Sequence, residues 1–244
     1  MNNNKWASLL TLRDEIGYIY GSEDLAVLFY SLARRERPNR IVELGTGLGV
    51  CSFWIAHALQ ENGSGHLWTF DNGLNFERKF TDYFHERLKT LGKLLGLQAL
   101  SSELLSYSDY FTEMTNFLEI KNHVTLLQES IDFQDEIIKA HWPFLDEPID
   151  WLFSDIMHGP EAILFLLAEF LPFLSSCSSI FIDSASTLLT SYLTLERTVE
   201  QLNRGCIPRQ FLTVGCEKRR ARLLELVHQR KFTLIHLTEC KDRA

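Results

Sequence analysis

The chain is short of the features that mark several common functional classes. Its five cysteines, Cys51, Cys177, Cys206, Cys216 and Cys240, are scattered over 244 residues and form no C-x-x-C pair. That argues against both a zinc ribbon and a disulfide framework, and fits a reducing compartment. Positive charge is in deficit: 24 Lys and Arg against 32 Asp and Glu leave a formal charge of −8. A nucleic-acid partner usually demands a basic face, so none is expected. Long apolar runs are missing too; the longest greasy stretch, Ala162 to Leu174, is broken by Glu169 and Pro172. The start, Met1 to Lys5, carries no signal-type apolar segment. A cytoplasmic protein without membrane association is therefore expected.

What is present is ordinary for a globular protein, with 45% hydrophobic and 23% charged residues. The length suits one α/β domain, 1–244, better than two. The stretch that organises it is Arg40-Ile41-Val42-Glu43-Leu44-Gly45-Thr46-Gly47-Leu48-Gly49-Val50. An apolar run ends near an acid, glycines follow at every second position, and Cys51 to Leu59 reads as a helix. Strand, glycine turn and helix together present backbone N–H groups to a ligand.

Residues 6–35 read as helical, within the N-terminal helices 1–37, with Ser22 as an N-cap ahead of Glu23 and Asp24. Arg34 to Arg40 reads as a solvated, basic helix end. His66 to Phe70 is a second strand ending at Asp71. About fifty residues then separate Asp71 from the next strand, His123 to Leu127, more than a crossover helix needs. The spacing of Phe80, Phe84, Leu88, Leu91 and Leu95, and a second piece near Leu104 to Leu118, give a helical insert over 74–120. It is either a lid or oligomer contact, compatible with a homodimer, or a longer core helix. A helix from Phe133 to Ala140 is predicted, then strands at Ile149 to Ser154 and Ser179 to Ile182, separated by an apolar helix from Pro160 to Phe173. A helix over Leu188 to Asn203, a basic helix over Lys218 to Arg230 and a last strand over Phe232 to Leu237 complete the chain. The fold class is a Rossmann-like, doubly wound, mostly parallel sheet of about seven strands with helices on both faces.

In such sheets ligands bind beyond the carboxyl ends of the strands. Acids stand at or near five consecutive strand ends: Glu43, Asp71, Glu129, Asp155 and Asp183. Any one alone is as readily a helix cap or a solvated turn residue; the set favours a cofactor site. The glycine pattern limits the cofactor. The dinucleotide fingerprint G-x-G-x-x-G is not met, because position 50 is Val and the third glycine falls one residue early. Val50-Cys51 is not the Lys-Ser/Thr pair of a P-loop. Glu43, two residues before Gly45, would repel a pyrophosphate and suits a ligand with an amino group.

Val42 to Gly49 resembles motif I of the class I S-adenosylmethionine (SAM) dependent methyltransferases, and Trp68-Thr69-Phe70-Asp71 resembles their second motif. Ile149 to His158, followed by Glu161-Ala162, is similar to the fourth-strand motif of the small-molecule, catechol-type O-methyltransferase branch, and Ile180 to Asp183 to its fifth strand. The resemblance runs from about Ser22 to Asp183. It implies that Glu43 and the backbone of Gly45, Thr46, Gly47 and Gly49 hold the methionine moiety. It implies that Asp71, with Asn72 beside it, takes the ribose hydroxyls, that Ser130 and Ile131 flank adenine, and that Asp155 lies near the transferring methyl. A Mg²⁺ or Ca²⁺ ion on Asp155 and Asp183 is implied as well, but Ser184 stands where the branch carries an Asn or Asp ligand, which argues against it. His158 stands where the branch carries a lysine base, and an imidazole there suits removal of a hydroxyl proton near neutral pH. Capping of the helix at Pro160, or a bond to a neighbouring backbone group, explains His158 equally well. Cys51 reads as a packing residue. Trp6, Tyr18, Tyr20, Tyr107, Tyr110 and Trp142 belong either to a pocket or to the core.

The expected activity is O-methylation of a small-molecule acceptor. N- or carboxyl-methylation on the same fold, or a silent SAM-binding scaffold, are the alternatives.

Overall fold

The run Arg40-Ile41-Val42-Glu43-Leu44 forms strand β1 (Arg40–Leu44), buried at four consecutive positions rather than at alternate ones. Continuous burial is the mark of a strand covered on both faces. The same holds for the C-terminal part of β4 (Ile149–Ser154) and for the end of β5 (Leu174–Asp183). The remaining strands are β2 (His66–Phe70), β3 (Val124–Leu127), β6 (Arg219–Glu225) and β7 (Phe232–Glu239). They form a seven-stranded sheet in the order β3-β2-β1-β4-β5-β7-β6. The structure is a computed structural model, and it describes residues 5–19, 23–78, 82–102, 105–131, 142–156, 158–185, 187–204, 206, 219–225 and 232–239. The expected helix over 133–140 and the Ser22 cap lie outside these residues.

Two compact units divide the chain, one of residues 1–39 and 45–130, the other of residues 40–44 and 131–244. The first holds helices α1 (Lys5–Ile16), α2 (Glu23–Glu36), α3 (Val50–Asn62), α4 (Leu74–Arg78), α5 (Asp82–Leu95) and α6 (Tyr107–Phe117), with β2 and β3 paired in parallel. The helical N-terminal stretch is broken at Gly17–Ile19, a short 3-10 turn. Helix α3 is buried all round, including Ser52, His57 and Asn62, as a helix apolar on every face must be. Phe84, Leu88 and Leu91 of the insert are core residues on α5.

The second unit holds α7 (Pro160–Phe170) and α8 (Leu189–Asn203). Its strands β1, β4 and β5 run parallel, while β7 is antiparallel to β5 and β6 antiparallel to β7. The apolar helix ends earlier than expected, at Phe170, and Leu171–Phe173 closes it as a 3-10 turn around Pro172. Residues 219–225 correct the expected basic helix: they are β6, with Ala221 opposite Leu237 and Leu223 opposite Ile235. Ladder pairing with β7 overrides the helix propensity of Arg-Ala-Arg-Leu-Leu-Glu. The antiparallel end pair is thus complete.

Candidate active site

The glycine turn is built by hydrogen bonds from its own first residues. The N–H groups of Gly45 and Thr46 both donate to the carbonyl of Phe70, at 2.8 and 3.1 Å, and Gly49 N–H donates to Thr46 O at 2.8 Å. Gly45, Gly47 and Gly49 all have positive φ, 97°, 54° and 73°. Gly49 caps α3, and a Cβ there would lie 2.7 Å from Phe53 Cζ, so both conformation and space demand glycine. The Thr46 and Thr69 hydroxyls meet at 2.6 Å in the buried interior, fixing the turn to β2.

Asp71 closes the turn from the end of β2. One carboxylate oxygen accepts Gly47 N–H at 2.9 Å, the other Gly73 N–H at 2.8 Å. Each oxygen keeps a second acceptor site. Burial pushes the carboxyl above its ordinary pKa, and the two N–H donors oppose that shift. Asn72 Oδ1 accepts Leu74 N–H at 3.0 Å, and its amide reaches Ser130 Oγ at 3.4 Å. The first unit therefore gathers Gly45, Thr46, Gly47, Gly49, Asp71, Asn72 and Ser130. Ile131, half-buried, and Glu43, almost fully buried on β1, belong to the second unit.

In the second unit, Asp155 N–H donates to the carbonyl of Leu44 at 2.8 Å, which sets Asp155 level with the residue that precedes the glycine turn. His158 Nε2 lies 4.0 Å from Asp155 Oδ1, and His158 Nδ1 lies 3.0 Å from the carbonyl oxygen of Asp183. A carbonyl only accepts, so the proton of the neutral ring sits on Nδ1 and Nε2 carries the lone pair. The hydroxyl of Ser191, in the first turn of α8, donates to the backbone carbonyl of His158. His158 is not the cap of α7, where Gly159 stands with no side-chain cap, but its ring does bond a backbone group, the Asp183 carbonyl, as the alternative reading of this residue expects.

The donor set also fits a divalent cation: Asp155, His158 and Asp183 each offer one ligand atom, all within 4.8 Å of one another. Ser184 turns its hydroxyl to Asp183 Oδ2 at 2.6 Å, and the third donor beside Asp155 and Asp183 is His158.

Of the other candidates, Cys51, Tyr107, Tyr110 and Trp142 are buried, whereas Trp6 and Tyr18 are partly exposed. Sequence reasoning missed what the two buried tyrosines do. Tyr107 OH donates to Gly47 O at 2.9 Å and Tyr110 OH donates to Leu48 O at 2.8 Å. Their three-residue spacing on a helix, which puts both on one face, was the available signal.

A family model described as a methyltransferase domain matches residues 42–185. Comparison with curated proteins finds no match. Among solved structures, the chain is similar to the SAM-bound O-methyltransferase TomG of Streptomyces achromogenes, involved in tomaymycin synthesis. Identity is 18%, covering 94% of this chain and 89% of that one at a TM-score of 0.52. A Podospora anserina methyltransferase with SAH bound is similar over 95% of this chain and 88% of that one, at 13% identity and a TM-score of 0.54. Among the described residues, no helix is long and apolar enough to cross a membrane.

Proposed function

The chain belongs to the SAM-dependent methyltransferases, and from that premise we propose that it methylates a hydroxyl oxygen of a small-molecule acceptor. When bound, SAM supplies the methyl as an electrophile on a sulfonium. Everything else falls to the chain. In this reading Glu43 and the backbone of Gly45, Thr46, Gly47 and Gly49 hold the methionine end. The second acceptor sites of Asp71, with Asn72 beside it, take the ribose hydroxyls, and Ser130 and Ile131 border the adenine. Asp155, whose N–H meets the Leu44 carbonyl, stands by the transferring methyl in this reading.

The observation that carries hydroxyl chemistry is the 3.0 Å contact of His158 Nδ1 with the Asp183 carbonyl, which assigns the ring proton to Nδ1. A hydroxyl attacks a sulfonium methyl well only as its proton leaves, and Nε2 is the ring nitrogen left to receive that proton. Asp155 at 4.0 Å then stabilises the imidazolium that forms. A carboxylate acceptor needs no such base, and neither an amine nor a carboxylate acceptor needs a metal at this position.

A second reading rests on the 4.8 Å cluster: a divalent ion held by Asp155, Asp183 and Nε2 of His158. If bound there, such an ion would supply Lewis-acid polarisation, with Asp155, Asp183 and His158 as the residues that would hold it.

The test is methyl transfer from labelled SAM to a panel of phenols, catechols, amines and carboxylic acids, in the wild type and in His158→Ala. The reading expects phenolic or catecholic product, and a loss of roughly 10²–10⁴ in kcat in the variant with SAM affinity intact. Methylated amines as the main product, or full turnover in His158→Ala, overturn it. SAM binding with no turnover on any acceptor favours a regulatory scaffold.

A further inference from the structure

Helix α6 lies about sixty residues beyond the glycine turn, inside the 74–120 insert, yet it sends two hydroxyls into that turn. Tyr107 OH reaches Gly47 O and Tyr110 OH reaches Leu48 O. Both rings are buried, with Tyr107 1% and Tyr110 0% exposed. Packing fixes where their hydroxyls point. Phe76 of α4 lies against both tyrosines, with ring centroids 5.4 Å away in each case, and Phe53 of α3 lies 6.4 Å from Tyr110. The side of Tyr107 presses on Gly73, where an added Cβ would come within 3.0 Å of its ring.

Two successive carbonyls are held in this way, and a peptide group is planar and trans. Fixing Gly47 O fixes the 47–48 peptide and sends the Leu48 N–H to the side opposite Tyr107. Fixing Leu48 O fixes the 48–49 peptide, whose Gly49 N–H then closes on Thr46 O at 2.8 Å. On its other flank Gly47 is held by its own N–H on Asp71. Glycine has the freest backbone of any residue, so a turn with three glycines in five positions needs such outside restraint to present one arrangement of donors. Tyr107 also joins the two parts of the candidate cofactor site, touching Gly47 with its hydroxyl and Gly73, two residues after Asp71, with its ring.

We infer that Tyr107 and Tyr110 are positioning residues that set the peptide planes of the cofactor turn, so that part of the affinity for SAM resides in an insert helix. The inference rests on the reading that this turn receives SAM. It makes the insert part of the cofactor machinery.

The experiment uses the full chain and SAM itself. Calorimetric SAM titrations are run on the wild type, Tyr107→Phe, Tyr110→Phe and the double variant, beside urea midpoints. Phe keeps the ring and its packing and removes only the hydroxyl. Each single change is expected to weaken SAM roughly tenfold, since it leaves a carbonyl without its partner, and the double change roughly a hundredfold. KM for SAM rises accordingly while KM for the acceptor stays. Amide resonances of Leu48 and Gly49 shift in both single variants. A merely structural role predicts lower urea midpoints with SAM affinity and these resonances unmoved, and that result overturns the inference. A wild type that does not bind SAM sinks the underlying reading instead. Should the Phe variants fail to fold, Gly73→Ala, which displaces the Tyr107 ring, gives the same readout: unchanged SAM affinity with a displaced ring contradicts the inference.

Discussion

His158 Nδ1 lies 3.0 Å from the backbone carbonyl of Asp183, so the main chain at Asp183, not its carboxylate, sets which nitrogen of His158 is available. The two readings of the cluster therefore diverge on one substitution. Asp183→Asn keeps the carbonyl and the tautomer but removes one anionic ligand. With His158 as the base a chelator changes nothing, and turnover falls no more than about tenfold, the loss of one nearby charge worth about 1 kcal/mol to the imidazolium while Asp155 remains. Loss of turnover in Asp183→Asn together with chelator sensitivity points to the metal.

Asp71 makes a prediction with two opposite signs. Its buried carboxyl titrates above the ordinary 3.8. The charged form is the better acceptor for ribose hydroxyls, so SAM affinity falls as pH drops through that raised value. Folding responds the other way. Because the folded pKa is the higher one, the group's contribution to stability is full below 3.8 and is lost as pH rises through the folded value. SAM titrations and urea midpoints taken from acid to neutral pH measure both. In Asp71→Asn the two dependences flatten; if they persist unchanged, Asp71 is not their source.

Two glycines at the ends of α3 separate strain from space. Gly49 and Gly63 have nearly equal φ, 73° and 72°, yet a Cβ at Gly49 meets Phe53 at 2.7 Å and one at Gly63 meets nothing within 4 Å. Gly63→Ala is expected to cost about 1–2 kcal/mol, the left-handed penalty alone. Gly49→Ala adds overpacking of about 1–3 kcal/mol. Urea denaturation of the pair checks the difference, and equal midpoints would mean that Phe53 yields freely.

Tyr30 offers a spectroscopic check on the N-terminal helices. Its hydroxyl donates to the Glu61 carboxylate, and burial together with that acid pushes its pKa up to about 12. The contribution to stability is present below 10, the ordinary value, and is lost as pH rises through about 12. A phenolate absorbance titration has Tyr30 ionising late, at about 12, and Tyr30→Phe takes one tyrosine out of that late step. An undiminished late amplitude in the variant contradicts the assignment.

Much of this was legible because strand-end chemistry is local. Ile149 to Ser154 and His66 to Phe70 are apolar, β-branched or aromatic runs, and they form strands with those bounds. The positions just beyond them follow from periodicity alone. Other parts depend on distant partners. Leu174 to Cys177 belongs to β5 despite its serines, because Leu174 pairs with Ile149 across an irregular register. Residues 219–225 pair with β7 against their own propensity. The hold of Tyr107 on Gly47 spans 60 positions; the spacing of Tyr107 and Tyr110 places them on one helix face but does not say what that face meets. Ser191 and His158 are likewise joined across 33 positions by a serine that composition marks as unremarkable.

The central claim is that the glycine turn and Asp71 form a SAM site. Calorimetric titration of SAM into the wild type and Asp71→Ala tests it most directly. The account predicts one site per chain in the wild type and at least about thirtyfold weaker binding in the variant, as loss of a charge-assisted hydrogen-bonding carboxylate of about 2 kcal/mol or more requires. No heat of binding in the folded wild type, or equal affinity in Asp71→Ala, would contradict it.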